Sequence, residues 1–294
     1  MKKIVTLHQI KAITQLQQWA DGFIIGNKRF GARLSASFDP DDINQAIAHA
    51  KSYQKEIFLM ANRIFNDEDC EAFAIWLRMI DVDGLTGIIV ADVGAMSVLK
   101  VLGWISKAVY HPETLLTNQY DANVFADEGI YGAFVAKEIT LEEIKHIGMN
   151  RQLKLFMIGH GYLDMFYSKR QLVKTFTIKA NVANTFHDHK HLTLIEAKRD
   201  QEPYPILEDD AGTHVFRYNV LHTDKHVDQL RRAIDYLVID TLFQSDAYAL
   251  EILKLYHHPN DQLRHDIIQK FKETWDEGFL FKPTVYKMKG ESHD

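Results

Sequence analysis

Phe58-Leu59-Met60-Ala61-Asn62 is a short apolar run that ends in a polar side chain, and the fold can be predicted from this pattern. Ile88-Ile89-Val90-Ala91-Asp92 repeats this pattern after a segment with helical spacing. Apolar runs that alternate with helical segments indicate strands of a parallel sheet whose faces are covered by helices. Six further runs of this kind occupy residues 4–7, 23–26, 115–117, 133–136, 155–159 and 237–239. Eight such strands predict an α/β fold of the (β/α)8 type, a TIM-barrel-like closed barrel.

Polar side chains follow the predicted strands, and in a (β/α)8 barrel these positions form the mouth where ligands bind. Asn62, Asp92 and Asn118 follow three of the strands and are candidates for substrate binding. Lys137 and Glu138 follow another strand, and a cation beside a carboxylate suits anion binding or acid–base catalysis. Two simpler interpretations stay open. Asn and Asp often only cap the next helix, and a Lys–Glu pair is often only an ordinary ion pair.

One continuous core is predicted, because the alternation of strands and helices runs through the chain. We therefore predict a single barrel domain over residues 1–294. The pattern changes at 161–222, which we interpret as a helical and β insertion between the seventh and eighth strands. Within it, one helix and two strand regions are predicted over about 161–186, 191–198 and 204–220. An insertion at this edge is placed to cover a site or to bind a partner.

The composition excludes several classes of protein. A net charge of -6 argues against a basic protein that coats nucleic acid, although it allows a local basic patch. No apolar run is long enough for a secretory signal or a membrane span, so we predict a cytoplasmic protein that does not associate with membranes. Cys70 is the one cysteine, and a single thiolate cannot hold an iron–sulfur cluster. Its acidic neighbours raise the pKa of the thiol, which argues against a nucleophile.

Gly159-His160-Gly161 is the sharpest local feature of the sequence. Flanking glycines allow the backbone to bring an imidazole close to a ligand, and imidazole titrates near neutral pH. His160 is therefore a candidate catalytic residue. The competing interpretation is a histidine that is hydrogen-bonded in a tight strand-to-helix turn.

Three alternate histidines, His187, His189 and His191, would point to one face of an extended backbone. Three imidazoles suffice to bind zinc, but a solvated charged run is the competing interpretation, and the sequence leaves metal binding open. The chain contains no His-Glu-x-x-His, no Gly-x-Ser-x-Gly and no Walker-type glycine loop. The common hydrolase and nucleotide-binding motifs are therefore absent.

A basic segment lies in the predicted insertion. Lys169 and Arg170, followed by Lys174 and Lys179, are interleaved with aromatic and aliphatic side chains. This mixture suits phosphate contact and base stacking, although it is also typical of a solvated helix face with a buried edge. Arg33, near the end of the second predicted strand, is a further candidate for anion binding.

Leu141-Glu142-Glu143-Ile144 and the segment from Phe156 to Ser168 resemble the collagenase-like family known as peptidase U32. In that family, a strand that ends in Arg-Glu precedes a Leu-Glu-Glu-Ile helix start and a later His-Gly. Lys137-Glu138 stands at the Arg-Glu position, and His160-Gly161 stands at the His-Gly position. The resemblance extends over roughly residues 1–175.

The chain departs from the family at the cluster cysteines. Asp164 and Gln171 occupy the positions of the first two cysteines, and no later segment supplies the second pair. Many family members are thought to hold a 4Fe-4S cluster with four cysteines, which this chain cannot do by thiolate ligation. We therefore predict no cofactor bound by this chain itself.

The resemblance implies a function in oxygen-independent hydroxylation. Family members are implicated in hydroxylating the wobble uridine of tRNA, with prephenate as the proposed oxygen source, and such members often occur as pairs of paralogues. A short, cysteine-poor member resembles one half of such a pair, acting with a Fe-S-bearing U32 paralogue on tRNA and a small anionic donor such as prephenate. On this interpretation His160, Lys137 and Glu138 line the mouth, the strand-end Asn and Asp side chains complete its polar wall, and the basic segment contacts phosphate. A collagenase-like peptidase and a non-catalytic scaffold or binding protein are the alternatives.

Overall fold

The computed structural model describes residues 1–183, 185–197 and 199–282. The strands are β1 (Lys2–Thr6), β2 (Gly22–Gly26), β3 (Glu56–Ala61), β4 (Gly87–Val90), β5 (Ala108–Tyr110), β6 (Gly132–Phe134), β7 (Lys154–Ser168), β8 (Leu192–Glu196), β9 (Arg199–Asp209), β10 (Gly212–His222), β11 (Tyr236–Ile239) and β12 (Trp275–Asp276). The α-helices are α1 (Ile13–Leu16), α2 (Pro40–Ser52), α3 (Asp67–Leu77), α4 (Val93–Val101), α5 (Gln119–Asp127), α6 (Leu141–Met149), α7 (Leu172–Ala180), α8 (Val227–Leu230), α9 (Asp246–His257) and α10 (Asp261–Phe271). Short 3-10 turns cover Ile10–Ala12, Val82–Gly84, Ile105–Lys107 and Asp224–His226. Within these described residues, every helix is too short or too polar to span a bilayer.

Eight of these strands form a closed parallel barrel, which confirms the predicted fold. Strands β1 to β7 pair in sequence order, and β11 pairs with both β1 and β7. Because each barrel strand has two neighbours, the barrel has no open edge. The strands run in the same direction, so the loops at their carboxyl ends meet at one mouth.

The barrel interior is filled with side chains. Phe156 stacks on Tyr236 with ring centroids 4.3 Å apart, and on Phe134 at 5.2 Å. The same interior cluster contains Ile4, Ile24, Phe58, Ile89, Val109 and Val238. A larger apolar cluster lies between the barrel wall and the surrounding helices. A filled interior restricts ligand binding to the mouth.

Side-chain caps begin several of the helices. Asn66 and Thr140 form capping boxes at the starts of α3 and α6. Asp92 and Asn118 accept backbone hydrogen bonds at the starts of α4 and α5. These caps satisfy the first free N–H groups of each helix at the point where the chain leaves the barrel mouth.

The fifth strand lies elsewhere than predicted. It is Ala108–Tyr110, whereas the predicted run 115–117 lies in the loop before α5, with Leu115 68% exposed. A strand of three residues that includes alanine gives a weak local signal, and pairing with β4 and β6 sets its position. His111 is therefore the residue that follows β5, and Asn118 is not at a strand end.

The insertion is mainly β structure. Strand β7 runs through Gly159 to Ser168, so the helix predicted over 161–186 is wrong except over α7. Beyond the barrel, β7 pairs antiparallel with β10, and β9 and β8 extend the sheet. The predicted β character of the later insertion is confirmed by β8, β9 and β10. Parts of the predicted helix, strand and barrel domain, at residues 184, 198 and 283–294, lie outside the described residues.

Candidate functional site

Two adjoining cavities open at the barrel mouth. They share the side chains of Arg33, His111, Ile158 and Asp240. His111 and Asp240 directly follow β5 and β11, and Arg33 lies in the loop after β2. Asp164 from the insertion also lines the first cavity. Barrel and insertion therefore build this site together.

Arg33 joins the insertion to the barrel. Its backbone is left-handed, with φ +56°, and its N–H donates to Asp209 Oδ2 at 2.9 Å. Its guanidinium forms an ion pair with Asp164 Oδ2 at 3.0 Å and donates to Glu113 from the loop after β5. The same guanidinium contacts His214 Nδ1 at 3.4 Å. One largely buried side chain thus contacts groups from two parts of the fold.

Glu113 bridges two cations of the mouth. One of its carboxylate oxygens accepts from Arg33, and the other accepts from Lys137 Nζ at 3.0 Å. Burial by itself would raise the pKa of Glu113, but the two cations outweigh burial and hold that pKa well below its usual range. Glu113 is therefore ionised at neutral pH, and it forms ion pairs with both Arg33 and Lys137.

His111 lies on top of the filled barrel interior. Its ring stacks on Phe134 with centroids 3.9 Å apart, and the residue is only 7% exposed. Burial lowers the pKa of His111 to about 4, so the imidazole is neutral at pH 7. Its Nδ1 is buried and has no hydrogen-bond partner. A neutral imidazole of this kind can donate or accept one hydrogen bond from a ligand.

Two carboxylates complete the polar wall. Asp164 is 7% exposed, and its Oδ1 is buried without a hydrogen-bond partner. Burial raises the pKa of Asp240 to about 6, although its Oδ1 accepts from the backbone N–H of Leu242 at 3.0 Å. A carboxyl group that titrates near neutral pH is suited to accept or donate a proton.

The mouth has more carboxylates than cations. Arg33 and Lys137 are both engaged by Glu113, while Asp164 and Asp240 add further acidic groups. A ligand that enters without rearranging the ion pairs meets unpaired acceptors, so it must bring hydrogen-bond donors such as hydroxyl or imide groups. Negatively charged ligands require one of the internal carboxylates to move.

His160 lies outside both mouth cavities. The residue is fully buried inside β7, not in a strand-to-helix turn, and its Nε2 is 2.7 Å from Tyr248 Oη on α9. Its ring packs edge-on against Trp275 at 4.8 Å. Burial lowers the pKa of His160 to about 3, so the imidazole is neutral. The prediction placed His160 at the mouth, whereas in the structure its side chain faces Tyr248 and Trp275 and lines neither cavity.

The backbone conformation at residue 161 explains why a glycine follows His160. Its φ is +132°, a conformation that side chains rarely allow. A Cβ atom at this position would lie 2.6 Å from the carbonyl oxygen of Asp240. Glycine therefore allows β7 to pass close to the end of β11, next to the mouth.

The other predicted strand-end residues fall into two groups. Asn62 is buried, lines the second cavity and accepts from the backbone N–H of Ala32 at 2.8 Å, which helps to hold the loop that carries Arg33. Asp92 and Asn118 cap helices, as the simpler interpretation held, and they line neither cavity.

The predicted charged residues lie at different places relative to the mouth. Lys137 lines the first cavity through its bond with Glu113, whereas Glu138 is half-buried and lines neither cavity. Lys169 and Arg170 are exposed in the turn between β7 and α7. The mouth therefore brings together Arg33, Lys137 and Asn62 from the predicted set.

The histidine run lies on the insertion surface. His187 Nε2 is 3.1 Å from Asp210 Oδ1, and the rings of His189 and His191 meet edge to face at 5.8 Å. Among the described residues, no three His, Cys, Asp or Glu side chains come together to hold a metal ion.

Four mouth residues were not selected from the sequence. His111 and Glu113 were missed because the fifth strand was placed too late in the chain. Asp164 was noted only as the substitute for a family cysteine. Asp240 follows a correctly predicted strand, so the strand-end rule alone could have selected it.

The barrel fold and its charged mouth are consistent with many enzyme classes. Similarity to known proteins identifies the family. The chain belongs to peptidase family U32, whose model matches residues 7–282. The solved U32 peptidase Mk0906 has the same fold, with a TM-score of 0.51 and 12% identity over 82% of this chain and 92% of that one.

Two curated relatives come from Bacillus subtilis strain 168. The tRNA hydroxylation protein P2 is 26% identical and covers 92% of this chain and 94% of that protein. The tRNA hydroxylation protein P1 is 23% identical over 51% of this chain and 36% of that protein. The similarity to P2 therefore includes both the barrel and the insertion.

Proposed function

We propose that this chain is a subunit for oxygen-independent 5-hydroxylation of the wobble uridine of tRNA. The observation that carries the proposal is the buried, charged cavity that the barrel and insertion build together around Arg33. The match to a tRNA hydroxylation protein over nearly the full length of both chains supports it. In this proposal the cavity holds the ligand, and Asp240 exchanges a proton with it.

The residues of this chain do not fit a 4Fe-4S cluster. Asp164, at one family cysteine position, is engaged by Arg33, and Gln171 precedes α7. Cys70 is far along the chain from both, and burial raises the pKa of its thiol. We therefore include a Fe-S-bearing U32 paralogue in the proposal, and the pair of names P1 and P2 in one organism supports a paired arrangement.

We further propose that a small anionic oxygen donor such as prephenate binds in the mouth cavity. Arg33 and Lys137 are the cations that a carboxylate would contact, but Glu113 already occupies both. A donor carboxylate must therefore displace Glu113. We expect Glu113→Gln to bind prephenate more tightly than wild type in calorimetric titration, and equal or weaker binding would remove the donor from this site.

The function is tested by mass spectrometry of wobble uridine in total tRNA from cells that lack the gene. Wild type and Asp92→Asn should restore hydroxylated uridine, whereas Asp240→Asn should lower it at least tenfold. The two variants are matched, because both replace a strand-end carboxylate by its amide and only Asp240 lines the cavity.

The results of this experiment distinguish a hydroxylation subunit from a scaffold and from a peptidase. Full restoration by Asp240→Asn would favour the non-catalytic scaffold, since the mouth would then be dispensable. Unchanged tRNA in the deletion strain would contradict the proposed function and would direct attention to peptidase assays.

A further inference from the structure

The outer part of the insertion differs in charge from the rest of the molecule. Residues 165–186 include Lys169, Arg170, Lys174 and Lys179. This stretch therefore contains four of the 34 basic residues of the chain and none of its 40 acidic residues. A local positive field on an acidic protein attracts a polyanion to one place.

Helix α7 within this stretch is almost entirely exposed. Thr177 is its buried residue, while Phe176 and Ile178 are 67% and 69% exposed. Leu172, Phe176 and Lys179 lie on one stripe of the helix because they are spaced by four and three residues. An exposed aromatic ring beside lysines is the arrangement that stacks on an unpaired base and contacts its phosphate.

Buried polar bonds hold the first turn of the helix, although the helix buries so little. Gln171 at its start provides no side-chain cap. Instead the fully buried carboxylate of Glu208 accepts from the backbone N–H groups of Val173 at 2.7 Å and Lys174 at 3.0 Å. Glu208 also accepts from Thr213 Oγ1 at 2.8 Å. The sheet therefore fixes α7 in position and leaves its apolar and basic side chains for a partner.

We propose that α7 and the turn before it form an RNA-binding face, on which Phe176 stacks against an unpaired base and the basic side chains contact phosphates. This inference rests on the proposed function, because it assigns the surface that would receive the tRNA. The face is continuous with the mouth through β7, which contributes Asp164 to the cavity and ends at Ser168, directly before Lys169. RNA held on the face would therefore lie beside the candidate site.

The test is fluorescence anisotropy with an unmodified tRNA transcript that has uridine at the wobble position. A variant with Lys169, Arg170, Lys174 and Lys179 all replaced by Gln should lose most binding, and the slope of log affinity against log salt should fall by about 3. Phe176→Ala should weaken binding by roughly tenfold without changing that slope. Circular dichroism verifies that each variant is folded.

The matched control neutralises four exposed basic residues of the barrel part of the molecule, outside the insertion: Lys11, Lys51, Arg78 and Arg232. This control should bind tRNA nearly as wild type does. Equal loss in both quadruple variants would show that only net charge matters and would overturn the assignment. Wild-type affinity in the α7 variant, or no binding by the wild type, would also overturn it.

Two further outcomes separate this face from the proposed function. If the α7 variants bind tRNA normally but fail to assemble with a cluster-bearing paralogue, the face is a protein interface and the RNA assignment is wrong. If they bind normally while deletion of the gene still abolishes wobble hydroxylation, the function stands and the face is rejected.

Discussion

The barrel and the outer insertion bury their side chains to very different extents. Barrel strands such as β2 and β4 are buried at every residue, whereas α7 buries Thr177 alone. The barrel is stabilised by its own apolar core, since burial of aliphatic and aromatic side chains is the dominant favourable term in folding. Helix α7 is held at its start by a few polar bonds from Glu208, whereas the inner strands of the insertion pack Leu207 and Phe216 against Leu242. The difference shows that the buried core supplies the stability, whereas the exposed side chains of α7 remain free for contacts.

The largest expected effect comes from removing a ring in the barrel. Phe156→Ala should lower the free energy of unfolding by about 3–5 kcal/mol, because the side chain is fully buried between Phe134 and Tyr236. Phe176→Ala on α7 is the matched control and should change it by less than about 0.5 kcal/mol. Urea denaturation of both variants measures the contrast, and similar losses would show that α7 packs against the core.

Arg33 tests the junction between the two regions. Arg33→Met leaves Glu113 and Asp164 without their shared cation, so we expect a loss of about 3 kcal/mol. Arg33→Lys keeps the charge without the forked geometry and should lose less. Denaturation curves report the loss, and nuclear magnetic resonance shows whether the resonances of β9 and β10 shift. A stability unchanged in Arg33→Met would contradict the role of this junction.

Asp240 makes the stability of the mouth depend on pH. Burial raises the pKa of Asp240 from 3.8 to about 6, so the folded state holds the proton more tightly than the unfolded state. The resulting contribution is fully present below pH 3.8 and is lost as pH rises through about 6. Asp240→Asn lacks this dependence. The stability of wild type relative to this variant should therefore fall by about 3 kcal/mol across that window, and a constant difference would refute the shift.

Glu208 tests whether polar bonds alone hold α7. Glu208→Gln replaces one acceptor oxygen by an amide that cannot accept, so the N-terminal turn of α7 should lose about 1–2 kcal/mol of local stability. Hydrogen exchange should accelerate at Val173 and Lys174 while barrel amides keep their protection. Uniform acceleration in both regions would mean that the insertion and the barrel unfold together.

Asn118 gives the smallest expected effect. Its side chain caps α5, so Asn118→Ala should cost about 1 kcal/mol, whereas Asn118→Ser should retain most of the stability. Neither variant should alter tRNA hydroxylation in complemented cells, because Asn118 lines neither cavity. Loss of hydroxylation in a stable Asn118→Ser protein would return this residue to the site.

Barrel strands are predicted correctly from the sequence where the run of consecutive apolar residues is long. Barrel strands with four or more consecutive apolar residues, such as those at 58–61 and 88–91, were identified correctly. β5 has three residues and was misplaced, which hid His111. The extension of β7 was read as a helix, because its antiparallel pairing with β10 involves residues more than forty positions away. The local sequence of a strand does not identify a distant pairing partner, and β propensity depends strongly on that context.

Local pattern and residue type are sufficient to predict the barrel, several helix caps, the basic stretch at 165–186 and the lack of cluster cysteines. Which groups meet at the mouth, in contrast, depends on the tertiary structure. Arg33 bonds Glu113, 80 positions away, and Asp209, 176 positions away. The tertiary structure also determines that His160 faces the outer helices. Burial then set the protonation of His111 and Asp240, and burial is a property of the folded chain that no local stretch of sequence encodes.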